Sequence, residues 1–441
     1  MEIWALVMFA VLMIFLIMGY PVAFTLGAVA FLFGSIALGL DFFSLLPLRI
    51  WGIMTNFTLL AVPLFILMGV ILEKSGLAQD LLESMAQLFG RIRGGMAVSI
   101  VAVGALLAAT TGVVGATVVT MGIIALPAML KHGYKPELAT GVIAASGTLG
   151  QIIPPSIVLI LLGDVIGVPV GRLFVGAVMP GLLLVSLFIL YILIVSWLKP
   201  ELAPVLKSDT NQRSADFYFK IIKSMLPPLL LVFAVLGSIF YGVASPTESA
   251  AFGAIGALIL AILHRRLSLD KLQQAMQQTT RYTSMVFLIL IGATAFGLVF
   301  RGMGGDLIVH TLLTSLPGGM WGFMAVSMLL IFVLGFFLDF IEICFIVVPI
   351  LAPIALFYQI DLLWFAVLIA VNLQTSFLTP PFGFSLFYLK AVVPETININ
   401  HIYRGIIPFV LIQVAAISLL LMFPQVALWL PNMMDELQGL R

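Results

Sequence analysis

Two segments of this sequence combine glycine, hydroxyl residues and a double proline inside long apolar runs. Residues 147–156 read GTLGQIIPPS, and residues 372–383 read NLQTSFLTPPFG. Glycine frees the backbone from helical dihedral angles, and proline removes an amide donor. Non-helical backbone at membrane depth is tolerated only where protein or a water-filled cavity surrounds it. We therefore predict that both segments interrupt helices and mark binding sites.

An interrupted helix in either segment would leave carbonyl oxygens without amide partners, at a helix end that carries about −0.5 charge. Hydroxyl groups stand close by, from Thr148 and Ser156 in the first segment and from Thr375 and Thr379 in the second. These oxygens could form an all-oxygen shell for a sodium ion. For one such segment the alternative is a proline kink whose freed carbonyls are bonded by Ser or Thr. Because two such segments occur in register, we expect sodium sites.

Two further stretches interrupt apolar runs that are too long for one membrane span. Residues 110–117 read TTGVVGAT, in which small residues allow a tight turn. The helix after that turn would begin with free amides at the positive end of its dipole, which suits a carboxylate. The alternative is close packing of small residues between helices.

The second stretch, residues 338–342, places Asp339 and Glu342 in an otherwise apolar run. A charge there costs at least ~2.5 kcal/mol on insertion scales, so both carboxylates need partners. Three roles are open: a helix cap with Asp339 at the N-cap and Glu342 at N3, a cation or proton site, or intramembrane acid catalysis. Ser245 and Glu248, with Pro246 between them, are typical of a capped helix start.

The whole chain has the composition of a membrane protein. Of its 441 residues 62% are hydrophobic and 9% are charged, against roughly 45–50% and about 25% in soluble proteins, and its mean hydropathy is +1.24. We predict an all-α polytopic membrane protein. The net charge of +1 lacks the excess of positive charge that is typical of nucleic-acid-binding proteins. A single cysteine and scattered histidines indicate neither a transition-metal site nor an organic cofactor.

Ten apolar runs are long enough to cross a ~30 Å hydrocarbon core, which takes about 20 residues. Two longer runs, 96–130 and 322–358, are predicted to form re-entrant helical hairpins. With the N-terminus outside and each hairpin returning to its own side, 16 of the 20 Lys and Arg residues face inward, as the positive-inside rule requires. Both termini are then outside. The ten runs lie near residues 3–19, 22–40, 50–72, 137–162, 173–197, 224–243, 247–263, 282–300, 361–388 and 404–428.

The chain is predicted to contain two copies of one unit. A shift of 226 residues superposes the apolar runs and several identities, including Pro154 on Pro380 and Pro155 on Pro381. Residues 1–197 form the first copy and residues 224–441 the second, joined by a polar cytoplasmic linker at 198–223. Under the predicted topology the copies are inverted, which is the architecture of secondary transporters.

Each copy would contain an amphipathic arm, a hairpin and a broken helix. We interpret the arms as surface helices that brace a mobile core; ordinary amphipathic connectors are the alternative. The arm, hairpin and broken helix span 73–95, 96–130 and 137–162 in the first copy, and 299–321, 322–358 and 361–388 in the second.

Five motifs resemble the large membrane subunit of tripartite ATP-independent periplasmic (TRAP) transporters, and the resemblance covers nearly the whole chain. It implies a multi-pass protein of the bacterial inner membrane with periplasmic termini, which imports an organic acid with sodium ions by an elevator-type motion. It also implies two partners: a small four-helix membrane subunit, here a separate chain, and a periplasmic solute-binding protein. The motifs are residues 147–156, SPTE at 245–248, FLD at 337–339, PILAP at 349–353 and TPPFG at 379–383.

Carried onto this sequence, the resemblance places sodium where the hairpin tips meet the broken helices, and the acid between the tips. The expected sodium-site residues are Thr110, Gly112, Gly115, Gly147, Thr148, Gly150, Pro154, Ser156, Leu338, Asp339, Glu342, Thr375, Thr379, Pro380 and Gly383. The expected acid-binding residues are Thr110, Thr111, Gly112, Thr117, Asn372 and Thr375.

One departure from the family concerns the second tip. Many members have proline and a hydroxyl residue after Leu-Asp, whereas this chain has Phe340 and Ile341 before Glu342. The class of acid therefore stays open, with a 2-oxo acid or an aromatic carboxylate among the candidates.

Two rival functions remain. A stand-alone sodium- or proton-coupled anion transporter or antiporter of similar design would need no binding protein. An intramembrane enzyme would use Asp339 and Glu342 as acid and base, but it would need a polar cluster for a substrate headgroup. The sequence offers only hydroxyls and amides there, so we do not expect an enzyme.

Overall fold

The structure is a computed structural model that describes residues 2–90, 92–111, 114–205, 215–381 and 383–437, and these residues form helices and connecting turns without a β-strand. The α-helices are α1 (Glu2–Ile17), α2 (Val22–Ala37), α3 (Leu46–Met54), α4 (Ala61–Lys74), α5 (Leu77–Phe89), α6 (Gly95–Thr111), α7 (Val114–Lys131), α8 (Pro136–Thr148), α9 (Ile157–Ile166), α10 (Val170–Leu198), α11 (Ala215–Phe240), α12 (Pro246–Leu263), α13 (Leu269–Gly302), α14 (Gly305–Thr314), α15 (Gly319–Leu334), α16 (Phe340–Glu342), α17 (Val348–Phe357), α18 (Leu362–Leu378), α19 (Phe384–Lys390), α20 (Ile399–Met422) and α21 (Gln425–Leu437).

The prediction of an all-α, multi-pass membrane protein is confirmed. By length and composition, six of the described helices can cross a membrane, or seven if the bent pair Leu40–Met54 and Thr58–Lys74 is one span. This number is below ten because several predicted spans are shorter helices or are divided into two. Two of the six, Val114–Lys131 and Phe340–Phe357, are the second arms of the predicted hairpins. A π-helical turn at Ile343–Val347 joins α16 to α17 within the latter.

Both predicted helix breaks are present. The first runs from the end of α8 at Thr148 through a 3₁₀ turn to the start of α9 at Ile157. The second separates the end of α18 at Leu378 from the start of α19 at Phe384. Each contains a double proline, and the bonds Pro154–Pro155 and Pro380–Pro381 are both cis. Proline has no amide hydrogen to donate to the preceding turn, so the helix ends there.

Each predicted hairpin contains two consecutive helical arms. Helices α6 and α7 pack side by side, and the predicted turn residue Gly112 between them lies outside the described residues. In the second hairpin α15 ends at Leu334, and the returning arm starts at Phe340. The predicted arms contain the short helices α5 and α14.

The predicted linker is shorter than residues 198–223. Helix α11 begins at Ala215, nine residues before the predicted start of the second copy. Residues 215–223 are rich in apolar side chains at helical spacing and contain no proline, so the helix extends to this point.

The two halves repeat helix by helix. Val114–Lys131 and Phe340–Phe357 begin and end at residue numbers that differ by 226. The contacts between the halves are reciprocal: α2 packs on α13 while α12 packs on α4, and α1 contacts α14 while α11 contacts α5. Reciprocal exchange of contacts is what a two-fold axis produces. The halves are therefore related by an approximate two-fold rotation.

Candidate functional site

A cavity of about 330 Å³ lies between the two hairpin tips, and we call it the tip cavity. The first hairpin contributes Val114, Gly115 and Ala116, which form the first turn of α7. The second contributes Asp339, Phe340 and Ile341. The broken helices complete this part of the wall with Ile157, Phe377 and Tyr388. The structure therefore brings together four segments that are far apart in sequence.

Contacts between the two halves hold these segments in place. Ser385, which is completely buried in α19, donates a hydrogen bond to the Ala144 carbonyl of α8 at 3.2 Å. A Cβ atom on Gly115 would lie 2.9 Å from the Tyr388 ring, so the first tip approaches α19 as closely as a residue without a side chain allows. The second half of one broken helix thus packs on both the first broken helix and the first tip.

Carboxylates and neutral polar groups line the tip cavity. Glu73 of α4 accepts a hydrogen bond from Thr120 of α7 at 3.3 Å, while its Oε2 atom has no partner in the described part of the chain. Gln278 and Tyr282 of α13 face the same cavity. No Arg, Lys or His is found among the described residues that line it. An anion bound here would have to use backbone amides and neutral donors.

The first turn of α7 supplies such amides. The first four amide groups of any helix lack an intrahelical acceptor and lie at the positive end of the helix dipole. Since Val114, Gly115 and Ala116 line the tip cavity, this end of α7 faces it. The first tip thus has the geometry expected for a carboxylate site.

At the second tip Asp339 is the N-cap. Its Oδ1 atom accepts a hydrogen bond from the Phe340 amide at 2.7 Å, so helix capping is the role that the structure shows for this side chain. Glu342 is 1% exposed, and its Oε2 atom has no partner within the described ranges. The two tips therefore differ: the first turn of α7 faces the cavity, whereas a carboxylate caps the helix that starts at the second tip.

The hydroxyl groups of the first break bond carbonyls of their own segment. Thr148 donates to the Ala145 carbonyl at 2.8 Å, and Ser156 donates to the Gln151 carbonyl at 2.9 Å. The bond from Ser156 is the one expected at a proline kink, where a hydroxyl group bonds a carbonyl that has lost its amide partner. The Gln151 side chain is completely buried, and neither of its amide atoms has a partner in the described structure. Gly147 packs against Val118 of the first hairpin, and Gly150 and Pro154 are buried beside it.

The second break shows the same local pattern. Thr375 donates to the Val371 carbonyl at 2.8 Å, and Thr379 donates to the Thr375 carbonyl at 2.7 Å. Each hydroxyl oxygen keeps lone pairs that can still bind a cation. The φ angle of Gly383 is +33°, a conformation that residues with a side chain rarely adopt. Pro380 precedes it in the same break.

Asn372 has a structural partner. Its Nδ2 atom donates to the Met328 carbonyl at 2.6 Å, which ties the second broken helix to the first arm of the second hairpin.

Of the predicted site residues, Gly115 and Asp339 line the tip cavity; Thr117, Leu338, Asn372 and Thr375 are buried and are not in its wall. The side chains of Thr110 and Thr111 lie outside the described part of the structure.

Four residues of the cavity wall are not among the predicted site residues: Glu73, Gln278, Tyr282 and Tyr388. Glu73 carried a weak signal, because it is an acidic residue at the end of an apolar run. Gln278 and Tyr282 belong to a helix of 34 residues that extends beyond the predicted span. Within the described ranges no three His, Cys, Asp or Glu side chains are placed to hold a metal ion.

The sequence profile of the family "Tripartite ATP-independent periplasmic transporter, DctM component" matches residues 9–426. The chain belongs to this family. It is 30% identical over 388 residues to the C4-dicarboxylate TRAP transporter large permease protein DctM of Pseudomonas aeruginosa. The aligned residues cover 88% of this chain and 89% of that protein. It is also 30% identical to the sialic acid TRAP transporter large permease protein SiaM of Vibrio cholerae, over 94% of this chain and 95% of that protein.

A solved structure has the same fold. The YdaH transporter of Alcanivorax borkumensis superposes with a TM-score of 0.62 at 13% sequence identity, covering 89% of each chain. The relatives are permease subunits of transporters, so this TRAP large permease is not an enzyme. The acid-base role considered for Asp339 and Glu342 does not apply.

Proposed function

We propose that this TRAP large permease is the membrane subunit through which an organic acid, delivered by a periplasmic solute-binding protein, enters the cell with sodium ions. It would act together with a small four-helix membrane subunit. The tip cavity carries the proposal, because it brings the first turn of α7 and residues of both predicted tips into one space of about 330 Å³. Relatives named for C4-dicarboxylate and sialic acid transport support a carboxylate as cargo.

In the proposed mechanism, sodium ions bind where the helix breaks meet the tips and order both hairpins around the acid. The ions offset the carboxylates of the second tip and of the cargo. Ion and acid then favour the same conformation, so each raises the affinity of the other. The hairpins and broken helices would cross the membrane together as a mobile unit.

Helix packing indicates that α20 moves with this unit. Gly405 of α20 lies so close to Gly141 of α8 that a Cβ on either residue would collide with the backbone of the opposite helix. Helices this close do not slide past each other without losing their packing. Helix α10, the equivalent of α20 in the first half, packs on α18 in the reciprocal way. We therefore include both helices in the mobile unit.

The ion pairs support the proposed sidedness. Arg266 pairs with Asp80 at 2.9 Å, and Arg172 pairs with Asp435 at 2.8 Å. Each pair joins residues that the Lys and Arg distribution assigns to one face, the cytoplasmic face for the first and the periplasmic face for the second. The tip cavity extends to Glu73 and Gln278, near the proposed cytoplasmic ends of α4 and α13. We infer that the structure faces inward.

Reconstitution tests the proposal. The permease and the small subunit are placed in proteoliposomes, and the solute-binding protein of the same system is supplied outside with its own ligand. We expect uptake that requires an inward sodium gradient and the binding protein. Uptake of equal rate without the binding protein would favour the stand-alone transporter, and uptake indifferent to sodium would contradict the coupling.

A further inference from the structure

A second, larger cavity of about 700 Å³ lies along the same crevice as the tip cavity, and we call it the arginine cavity. Helices α9 and α13 and the helix Phe340–Phe357 line both cavities. On α13 the tip cavity ends at Val286, and the arginine cavity begins at Ala293. The two spaces are therefore arranged end to end between the same helices.

The partition between them is thin and apolar. Val286 and Ala293 are seven positions apart on α13, which is roughly 10 Å at 1.5 Å per residue. Within the partition Leu290 of α13, Ile160 of α9 and Cys344 of the returning hairpin arm are completely buried. The partition is therefore about two turns of α13 long.

The arginine cavity has cationic groups that the tip cavity lacks. Arg49 and Arg301 line it, with His310 nearby in the same wall. Neither arginine has a carboxylate within 4.0 Å among the residues that the structure describes, whereas Arg172 and Arg266 are both paired. Arg301 uses its Nε atom in a 3.2 Å bond to the Gly297 carbonyl. The remaining guanidinium donors are available to a ligand.

Two carboxylates also line the arginine cavity, and neither neutralises these arginines directly. Asp164 accepts a hydrogen bond from Asn56 at 2.7 Å. Asp306 lies in the first turn of α14, where the helix dipole favours a negative charge. Both arginines are exposed, on the side that the charge distribution assigns to the periplasm.

We propose that the arginine cavity is a second carboxylate-binding site, in which Arg49 and Arg301 hold the acid before it reaches the tip cavity. A guanidinium group presents a planar fork of donors that matches a carboxylate. The tip cavity, with Glu73 and Asp339 in its wall and no cationic side chain described there, repels a free anion. Capture therefore occurs first at the arginines. This inference rests on the proposed transport of an acid.

A labelling experiment on the intact transporter complex tests the site without measuring transport. Thr294 lines the arginine cavity, and the native Cys344 is completely buried, so T294C supplies a reactive thiol there. Its labelling rate is compared for an anionic sulfonatoethyl and a cationic trimethylammonioethyl methanethiosulfonate. We expect the anionic reagent to be favoured, and millimolar succinate, used as the carboxylate probe, to slow its reaction.

The R49Q/R301Q double variant should lower the preference for the anionic reagent by about tenfold and abolish protection by succinate. The R49K/R301K variant keeps both charges and should keep the preference, while protection weakens because the forked donors are lost. R172Q is the matched control, since Arg172 is paired with Asp435 and does not line the cavity; it should change neither quantity.

The proposal is overturned if the double variant labels like the parent, or if sodium chloride of equal ionic strength protects as well as succinate does. It is also overturned if impermeant reagents reach T294C only from the cytoplasmic side. Uptake measured on the same variants separates the two proposals: charge-dependent labelling and protection without any uptake would reject the proposed function alone.

Discussion

Asn56 donates a hydrogen bond from Nδ2 to Oδ1 of Asp164 at 2.7 Å, although 108 positions separate the two residues. Asn56 precedes α4, and its own Oδ1 atom accepts a hydrogen bond from the Thr58 amide at 2.9 Å. Both polar atoms of the Asn56 side chain are therefore hydrogen-bonded. Asp164 lies in α9, the second half of the first broken helix. The bond therefore joins the proposed mobile unit to the helices around it.

If the mobile unit crosses the membrane, this bond must break in every cycle. We predict that N56C/D164C, joined by a short thiol-specific cross-linker, loses sodium-driven uptake and regains it when a cleavable linker is cut. The control is E137C/H401C. Oε1 of Glu137 on α8 and Nε2 of His401 on α20 are 4.0 Å apart, and both helices belong to the proposed mobile unit. That pair should tolerate cross-linking. Full uptake by completely cross-linked N56C/D164C would contradict the elevator motion.

Gly115 should be intolerant of any side chain. A Cβ there would lie 2.9 Å from the Tyr388 ring, and the displaced ring would reduce the tip cavity. We expect G115A and G115V to lower kcat/KM for uptake by about 10- to 100-fold, because small misplacements at a binding site have effects of this size. G27A is the control, as no atom lies within 4 Å of a Cβ on Gly27. Equal uptake by all three variants would show that Gly115 does not contribute to the binding site.

The threonines of the breaks should affect the response to sodium. T148V and T379V remove one hydroxyl at nearly constant volume, whereas leucine would overpack Thr148, which is completely buried. Loss of one oxygen ligand, worth ~1 kcal/mol, should raise the half-saturating sodium concentration roughly fivefold. T311V is the control, because Thr311 makes the same kind of bond, to the Leu307 carbonyl at 2.9 Å, on an exposed arm. An unchanged sodium response in T148V and T379V would remove both residues from the ion sites.

The cap at the second tip predicts a stability difference between two substitutions of Asp339. Asparagine can accept the Phe340 amide as aspartate does, whereas alanine cannot, and loss of an N-cap costs about 0.5–2 kcal/mol. D339A should therefore unfold at a lower temperature than the parent in detergent, and D339N should not. S245A is a useful comparison, because Ser245 forms a complete capping box with Glu248 and should show a loss of the same order. Identical melting of D339A and D339N would contradict the capping role.

The inverted arrangement predicts opposite exposure of Lys131 and Arg301. Lys131 ends α7, and Arg301 lies at the far end of α13. An impermeant thiol reagent added to intact cells should label R301C, and it should label K131C only after the membrane is opened. Labelling of both positions from one side would refute the proposed orientation of the two halves.

Patterns along the chain were enough to predict the class of protein, the positions of the helix breaks and the repeat of 226 residues. These features follow from local physics: a long apolar run indicates a membrane span, and clustered glycine and proline weaken a helix at the positions that they occupy. The capping box at Ser245 was readable for the same reason, since both of its partners lie within four residues. The start of α11 was misplaced because residues 215–223 were assigned to the polar linker, although they are rich in apolar side chains at helical spacing.

Which of these local features contact one another depends on how the helices pack. Neither Glu73 nor Tyr388 belongs to a motif, yet both line the tip cavity with residues of both hairpins. Asn372, expected to bind the acid, instead bonds the Met328 carbonyl. Such pairings depend on how helices from two halves pack across a two-fold axis. That packing is a property of surfaces far apart in the chain, and no spacing along the sequence encodes it.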